Sequence, residues 1–290
     1  MPVLRGATGC HRAHLSAGER VPTLSAAKAT DLLTTADLEL VGRISSASNL
    51  ALLVRLGVGG PYAIHKPIDG ERSLWDFPDG TLAGREVASW LISQAGGWGV
   101  IPPTVLRQGP WGSGSVQEWI GDPRQGLERV VELVPADDIP EGRRIAFTGQ
   151  DHQGAVVAVI HQDCAQLRSV AVLDVVLNNA DRKGEHLARD PADGRVWAFD
   201  HGVTLHTEDK LRTVVWGFVG EPVQPEDLQR LRVLADALAD RGPGCLTEQL
   251  AEYLCATELA ALHTRVARLR RAGVMPSPSP DWPSIPWPPI

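Results

Sequence analysis

The sequence has few cysteines, no long apolar run and fewer basic than acidic residues. Its four cysteines lack metal-type spacing and are too sparse for a disulfide scaffold, so we expect a reduced, cytoplasmic setting. No apolar run approaches the roughly 20 residues that span a bilayer, and the N-terminus lacks the pattern of a secretion signal, so no integral membrane association is expected. The net charge of −7 argues against a nucleic-acid-binding protein.

The remaining composition is that of a folded protein. With 290 residues, 43% hydrophobic and 22% charged, the chain buries a large core as one domain or two lobes. Residues 1–30 show no sustained period and are predicted to form a mobile N-terminal segment. The C-terminal tail, residues 275–290, is dense in proline. Its Trp282 and Trp287 either pin the tail to the body or offer a site to a partner protein.

Residues 31–121 are predicted to form a strand-rich lobe. Two short apolar runs flank a small polar tip at residues 45–49, which indicates a hairpin. A third strand, a helix with a clear apolar stripe and two further strands follow. These elements are expected at residues 38–44, 50–56, 62–66, 82–94, 105–106 and 115–120.

Residues 122–274 are predicted to form a mainly helical lobe with a hairpin insertion near residues 144–161. The helix at 165–177 is apolar nearly all round and therefore belongs in a core, where its Asp174 needs a partner. Other helices are expected at residues 127–134, from about Pro225 to 238, and at 247–271.

Two aspartates carry most of the functional signal. Asp181 follows the buried helix in a loop, where rigid structure can hold an exposed side chain. Asp200 ends a short hairpin at residues 187–199, whose turn is marked by residues 191–194. A loop carboxylate followed by a hairpin that delivers a second carboxylate is the arrangement that holds a metal-bound triphosphate in kinase-like folds.

A cation clamp is the other requirement of phosphoryl transfer. Lys66 lies on the predicted third strand, on the same face as Tyr62 and Ile64, so it either clamps phosphates or places its amine in solvent at the strand end. Glu86 on the following helix is the natural partner that orients Lys66, although a glutamate at a helix edge is commonly solvated. The order of strand and helix favours the pair.

The residues Ala180-Asp181-Arg182 with Leu187, the hairpin and Phe199-Asp200-x-Gly202 resemble the phosphatidylinositol 3- and 4-kinase catalytic domain and related atypical kinases. The chain looks most similar to an uncharacterised, mainly actinobacterial group at the fringe of that superfamily. The resemblance covers about residues 38 to 270. It implies an α+β, bilobal protein-kinase-like fold with a β-rich N-lobe and a mainly helical C-lobe.

The resemblance also implies roles for individual residues. Lys66 would contact the ATP phosphates and Glu86 would orient it, Asp181 would be the catalytic-loop aspartate, and Asp200 would bind Mg²⁺ or Mn²⁺. Residues around the nucleotide would be Gln117, Glu118 and Trp119 at the adenine, and Ser46 and Ser48 over the phosphates.

Two positions depart from the family pattern. The related kinases have histidine and asparagine where this chain has Lys183 and His186. A charged lysine is not a base at neutral pH, but it can steady the transferring phosphate. A neutral imidazole at His186 can bind metal, and it suits Mn²⁺ or Zn²⁺ better than Mg²⁺.

The sequence therefore predicts an ATP-dependent phosphotransferase whose acceptor, a small metabolite or a protein, is unknown. The segment at residues 210–220 carries only Lys210 and Arg212 as basic residues, which argues against a phosphoinositide acceptor. Two alternatives stay open at this point. One is a nucleotide-binding pseudokinase that acts through a protein partner, and the other is nucleotidyl transfer (AMPylation) on the same scaffold.

Overall fold

The structure is a computed structural model that describes residues 25–44, 47, 49–77 and 81–290. Its first element, helix α1 (Ala26–Thr35), begins where the Ser25 side chain accepts a hydrogen bond from the Lys28 N–H. Leu33 of α1 is fully buried against the N-lobe sheet. The prediction that residues up to 30 lack structure is therefore wrong for residues 26–30, because an apolar face of α1 packs on the sheet. Residues 1–24 lie outside the described residues.

The N-lobe contains a five-stranded antiparallel sheet with strand order β1-β2-β3-β5-β4 and a helix, α2, beside it. The predicted order of hairpin, third strand, helix and two strands agrees with the structure. Residues 45, 46 and 48 of the hairpin tip lie outside the described part of the chain. The elements are β1 (Leu38–Arg43), β2 (Leu52–Leu56), β3 (Tyr62–Pro67), α2 (Leu82–Gly96), β4 (Thr104–Gly109) and β5 (Gly112–Glu118).

Helix α2 is long and well defined at both ends. The Thr81 side chain accepts from the Gly84 N–H at 2.9 Å and begins the helix. Gly97 ends it in the left-handed conformation at φ +78°, which glycine adopts without strain. Ala83, Val87 and Ile92 are among its buried residues, so this helix is held by its apolar stripe.

The next segment forms strands, whereas a helix is predicted for residues 127–134. Strand β6 (Glu128–Arg129) pairs with a strand of the later hairpin, and β7 (Val131–Pro135) joins the insertion hairpin of β8 (Arg143–Gln150) and β9 (Val156–Gln162). The helix prediction is wrong because tertiary pairing overrides a short local pattern. The hairpin insertion itself is present, in a three-stranded sheet of order β7-β9-β8.

The C-lobe beyond the insertion is mainly helical. Its elements are α3 (Ala165–Leu177), β10 (Leu187–Arg189), β11 (Val196–Ala198), α4 (Pro225–Ala239), α5 (Leu246–Leu250) and α6 (Ala256–Ala272). The prediction of a single helix at residues 247–271 is wrong, because residues 251–255 between α5 and α6 are not helical. Glu258 accepts from the Cys255 N–H at 2.9 Å and begins a new helix there.

Helix α3 lies at the centre of the larger hydrophobic core. Its apolar residues pack with α2, α4, α6 and β11 in one continuous cluster, as its all-round apolar sequence predicts. A smaller cluster fills the space between α1 and the N-lobe sheet. The α+β class with a β-rich N-lobe and a mainly helical C-lobe is confirmed. Among the described helices, none combines the length and the apolar character needed to cross a membrane.

Candidate active site

Lys66 and Glu86 meet between the sheet and helix α2. Strand β3 is paired on both sides, with β2 and β5, so the position of Lys66 is held by two ladders of hydrogen bonds. Its Nζ donates to Glu86 Oε1. The Glu86 side chain is almost fully buried on α2, whereas Lys66 is about a quarter exposed. The predicted pairing of these two side chains is present in the structure.

Asp200 reaches the same lysine from the C-lobe. Its Oδ1 lies 3.3 Å from Lys66 Nζ, and its carboxylate is half exposed. Asp200 has a left-handed backbone with φ +52°, a conformation that Asp tolerates better than most residues. Gly202, two residues later, is not among the residues with positive φ. A Cβ on Gly202 would come within 3.2 Å of Leu82 Cβ, so that glycine serves close packing against α2.

Opposite charges in this cluster favour the ionised forms of Lys66 and Asp200, whereas burial raises the pKa of Glu86. Burial lowers the pKa of Lys66, but the carboxylates of Asp200 and Glu86 outweigh burial and raise that pKa above its ordinary value. Burial raises the pKa of Glu86, and Lys66 opposes that rise only in part. Burial also acts to raise the pKa of Asp200, yet Lys66 and His186 lower it well below its usual range. At neutral pH the cluster therefore presents an ionised Asp200 beside a charged Lys66.

The Asp181 loop, residues 178–186, carries three of the predicted site residues. The Asp181 backbone N–H donates to Asn179 Oδ1 at 3.0 Å, so the loop begins as a tight turn. Lys183 Nζ lies 3.3 Å from Asp181 Oδ2. Burial raises the pKa of Asp181, Lys183 lowers it, and the net shift is upward. A carboxyl group with a raised pKa is better suited to accept a proton.

His186 lies next to Asp200. Its Nε2 is 3.6 Å from Asp200 Oδ2, and its side chain is about nine-tenths buried. Burial lowers the pKa of His186 to about 4, although Asp200 acts in the opposite direction. The ring is therefore neutral at pH 7 and has one nitrogen lone pair. Its Nδ1 lies 3.4 Å from the Lys183 backbone nitrogen, so metal binding through Nε2 requires the tautomer that carries its proton on Nδ1.

Two donors, Asp200 and His186, are in place for a divalent metal. No group of three or more His, Cys, Asp or Glu side chains suited to a metal ion occurs among the described residues. A pair of protein ligands still fits a nucleotide-bound cation, because Mg²⁺ in such sites is held by one or two carboxylates together with phosphates and water. The donor set thus suits an ion that arrives with a phosphate ligand.

The predicted adenine residues lie at the end of β5. Gln117 is buried and donates to Thr104 Oγ1 at 2.8 Å, and it pairs across the sheet with Ile64. Burial raises the pKa of Glu118 to about 7, with Arg195 acting against it. Trp119 donates its backbone N–H to Tyr62 O at 3.1 Å. These residues share the Lys66 sheet, and their contact with adenine stays a prediction.

Ser46 and Ser48, predicted to cover the phosphates, lie outside the described residues. The described neighbour Asn49 accepts from the Arg72 N–H at 2.9 Å through its side chain. The hairpin is therefore tied to the segment that precedes α2.

A buried ion pair lies under the site, and the sequence predicted only one of its two members, Asp174. Asp174 on α3 accepts from Arg182 Nη2 at 2.9 Å, and both side chains are about 1% exposed. Arg182 Nη1 also donates to Phe199 O at 2.7 Å, directly before Asp200. The partner expected for Asp174 is thus Arg182, which the sequence left unidentified. This pair connects the Asp181 loop to the strand end that carries Asp200.

A buried histidine completes this support. His201 Nε2 lies 2.7 Å from Arg182 Nη2, and His201 is fully buried. Burial, with the nearby charge of Arg182, lowers the pKa of His201 well below its ordinary value. The neutral ring therefore accepts from the guanidinium through Nε2. Because its Nε2 accepts from Arg182, the ring connects the residue after Asp200 to the Asp181 loop.

Comparison with known proteins gives one close sequence relative. The chain is 42% identical over 266 residues to Protein Rv2133c of Mycobacterium tuberculosis, an alignment that covers 89% of this chain and 94% of the relative. No family model matches the chain.

Two kinds of solved structure share the fold. The Golgi casein kinase with Mn/ADP bound superposes with a TM-score of 0.51 at 14% identity, covering 85% of this chain and 74% of that one. The structure of hydra Fam20 with sugar gives a TM-score of 0.53 at 13% identity, covering 84% and 86%. At these identities the comparison shows a kinase-like fold and nothing finer. The narrower resemblance to phosphatidylinositol 3- and 4-kinases stays a prediction.

Proposed function

This chain belongs to the family of the mycobacterial protein Rv2133c, and we propose that it is an ATP-dependent phosphotransferase with a kinase-like fold. The observation that carries the proposal is the joining of Lys66, Glu86 and Asp200 in one cluster between the lobes. A cation clamp oriented by a helix glutamate, facing a carboxylate from the other lobe, is what binding of a metal–triphosphate requires.

Each residue of the cluster has a proposed task. Lys66 binds the ATP phosphates, and the buried Glu86 orients its amine. Asp181 accepts the proton of the acceptor hydroxyl, a role that the raised pKa of its carboxyl supports. Lys183 stays beside Asp181 and stabilises negative charge on the transferring phosphoryl group.

Asp200 and His186 are proposed to hold Mg²⁺ or Mn²⁺. The 3.6 Å between their donor atoms supports a shared ion, and the neutral His186 ring favours Mn²⁺. The Golgi casein kinase, described with Mn/ADP bound, supports nucleotide and divalent metal together on this fold. When bound, the metal would neutralise charge on the phosphates.

The adenine end of the site is proposed to lie at Gln117, Glu118 and Trp119. Strand β5 pairs with β3, the strand of Lys66. Gln117 lies opposite Ile64 and Glu118 opposite Ala63, so both are close to Lys66 on the neighbouring strand. Ser46 and Ser48 are proposed to cover the phosphates from the β1–β2 hairpin. The acceptor, a small metabolite or a protein, stays unassigned.

ATP turnover by the purified chain tests the proposal. With Mg²⁺ or Mn²⁺ we expect turnover in the wild type and a loss of at least about 100-fold in Asp200→Ala, since charge stabilisation at the phosphates is lost. The matched control is Asp209→Ala, a carboxylate of equal exposure that pairs only with Arg268 among the described residues. It should keep wild-type rates.

The outcomes separate the remaining alternatives. Nucleotide binding without turnover with any metal would indicate a pseudokinase, which the Lys183 and His186 departures from the family pattern favour. Mass spectrometry of the incubated chain distinguishes addition of phosphate from addition of AMP. If the purified chain shows no nucleotide binding and no ATP turnover, the proposal is overturned.

A further inference from the structure

The C-terminal tail does not leave the body after α6. Val274 pairs with Pro222 in an antiparallel bridge. Met275 is buried, and its N–H donates to Glu221 O at 2.9 Å. The tail therefore starts as a paired, extended segment along the C-lobe.

Trp282 is the first large contact of the tail with the segment at residues 210–216. Its ring lies 4.5 Å from Lys210 Nζ and 5.4 Å from the guanidinium carbon of Arg212. Cations over an indole face are attracted by the ring quadrupole, and the attraction is larger where water is excluded. Lys210 is almost fully buried, so Trp282 is held at a desolvated charge. By contrast, Trp287 is 83% exposed.

Ser284 then satisfies two buried donors with one carbonyl. Its backbone oxygen accepts from the Thr213 N–H at 3.1 Å and from Trp216 Nε1 at 2.8 Å. Thr213 and Trp216 are both buried. A buried donor without an acceptor is unfavourable, so this part of the tail completes the structure of residues 213–216.

The segment that the tail contacts is itself paired with the Asp181 loop. The Arg182 N–H donates to Arg212 O at 3.0 Å, and the Val214 N–H donates to Arg182 O at 3.2 Å. The 212–214 segment therefore lies between the tail, which it contacts through the Thr213 N–H, and the Asp181 loop, with which it pairs at Arg182.

The end of the tail contacts the Asp181 loop directly. The Gly184 N–H donates to Pro289 O at 2.8 Å. The Ile290 side chain packs so closely that a Cβ on Gly184 would lie 2.5 Å from Ile290 Cδ1 and 3.3 Å from Val131. Gly184 begins the short 3-10 helix that ends at His186, directly after Lys183. The tail thus contacts the Asp181 loop at Gly184, between the site residues Lys183 and His186.

We propose that residues 281–290 are a positioning element for the Asp181 loop, and that full phosphoryl transfer requires them. This rests on the proposed function, because Asp181, Lys183 and His186 are the residues that the element holds. Small displacements of such groups reduce rates strongly. The Lys66–Glu86 pair has no contact with the tail among the described residues, so nucleotide binding depends on it far less.

The test is a chain shortened to residues 1–280, assayed with and without a synthetic peptide of residues 281–290. We expect kcat to fall at least about tenfold with little change in KM for ATP, because the loop and not the clamp is released. The peptide should restore the rate. A peptide with Trp282→Ala and Ile290→Ala should not, whereas one with Trp287→Ala should restore it fully.

Amide hydrogen exchange provides a readout that does not need turnover. The Gly184 and Thr213 amides should exchange faster in the shortened chain and regain protection with the peptide. If the full chain lacks turnover but shows this protection, the proposed function fails and the positioning role stands. Unchanged protection, an unchanged kcat or a higher kcat in the shortened chain would overturn the inference, and the last of these would indicate an inhibitory tail. Should the shortened chain not fold, Trp282→Ala/Ile290→Ala in the full chain is measured in the same way.

Discussion

Lys66 Nζ lies 3.3 Å from Asp200 Oδ1, although 134 residues separate the two in the chain. Strand β3 of the N-lobe and the end of the β10–β11 hairpin are thereby joined by an ion pair. Because Glu86 shares the same amine, a change at any of the three residues alters the charge balance of the other two.

Lys66→Met should weaken ATP binding and also make stability depend on pH. The buried Glu86 loses its cation, so the free energy of unfolding at pH 8 should fall by about 1–3 kcal/mol. The folded-state pKa of Glu86 is already raised by burial above its ordinary 4.5, and loss of Lys66 raises it further. The folded state then binds more protons than the unfolded state above about pH 4.5, so stability falls as pH rises through that window.

Denaturant unfolding at pH 5 and pH 8 measures this effect. The double variant Lys66→Met/Glu86→Gln is the control, because it removes the ionisable group and should lose the pH dependence. Equal destabilisation of Lys66→Met at both pH values would contradict the prediction.

His186→Asn should shift metal preference from Mn²⁺ towards Mg²⁺. The neutral imidazole, whose pKa burial lowers to about 4, is replaced by an amide oxygen, which is a ligand that Mg²⁺ prefers. We expect the ratio of Mn²⁺-supported to Mg²⁺-supported rates to fall by about tenfold, the lower end of the losses that changes to the groups around a bound metal cause. Initial rates over a titration of each metal check it, and an unchanged ratio would rule out His186 as a ligand.

Gly114→Ala should damage the sheet at the Lys66 position. A Cβ on Gly114 would lie 2.3 Å from Lys66 O, so the β3–β5 pairing has to separate there. We expect a loss of stability of about 1–3 kcal/mol and weaker ATP binding. Gly149→Ala on β8, where nothing lies within 4 Å of the added Cβ, is the matched control. Thermal melts with and without ATP should separate the two variants.

Asp174→Ala should be among the most destabilising single changes in the C-lobe. It leaves the Arg182 charge buried without its carboxylate partner, which costs about 3–5 kcal/mol in comparable pairs. Asp209→Ala, which breaks the half-exposed pair with Arg268, should cost at most about 1 kcal/mol. Chemical unfolding of both variants gives the comparison. Similar losses would mean that Arg182 finds another partner.

His161 should contribute to acid sensitivity. Its buried ring accepts from the Gly217 N–H through Nε2, and burial lowers its pKa to about 4. The unfolded state therefore binds the proton first, and stability falls as pH drops from about 6.5 to about 4. His161→Leu should start less stable at pH 7 but show a slope flatter by up to about 1.4 kcal/mol per pH unit. His152→Leu, in an exposed turn, should leave the slope unchanged.

The contacts within the candidate site differ in how far the sequence predicts them. The pairing of Lys66 with Glu86 was predictable because strand and helix periodicities are local, and both residues lie on strongly patterned elements. The nearness of Asp200 to both followed from a motif and the order of elements, not from spacing. The Arg182 partner of Asp174 was not predictable, because only packing of α3 against the Asp181 loop brings the two side chains together.

The failed predictions have the same origin. Residues 127–134 have a weak helical pattern but lie beside strands with free hydrogen-bonding groups, so they form β6 and β7. The break between α5 and α6 depends on Glu258, which begins α6 and also binds the buried Arg85 from α2. Arg85 lies 173 residues from Glu258 in the chain.

By itself, the sequence determined the two-lobed order of elements, the buried α3 helix and the two aspartates at loop and hairpin end, because apolar periodicity and turn residues act over a few positions. Only the tertiary structure decided which charges meet: Lys66 with Asp200, Arg182 with Asp174, and the tail with Gly184. These contacts join segments far apart in the chain. Their geometry is set by the packing of whole elements and by the need of every buried donor for an acceptor.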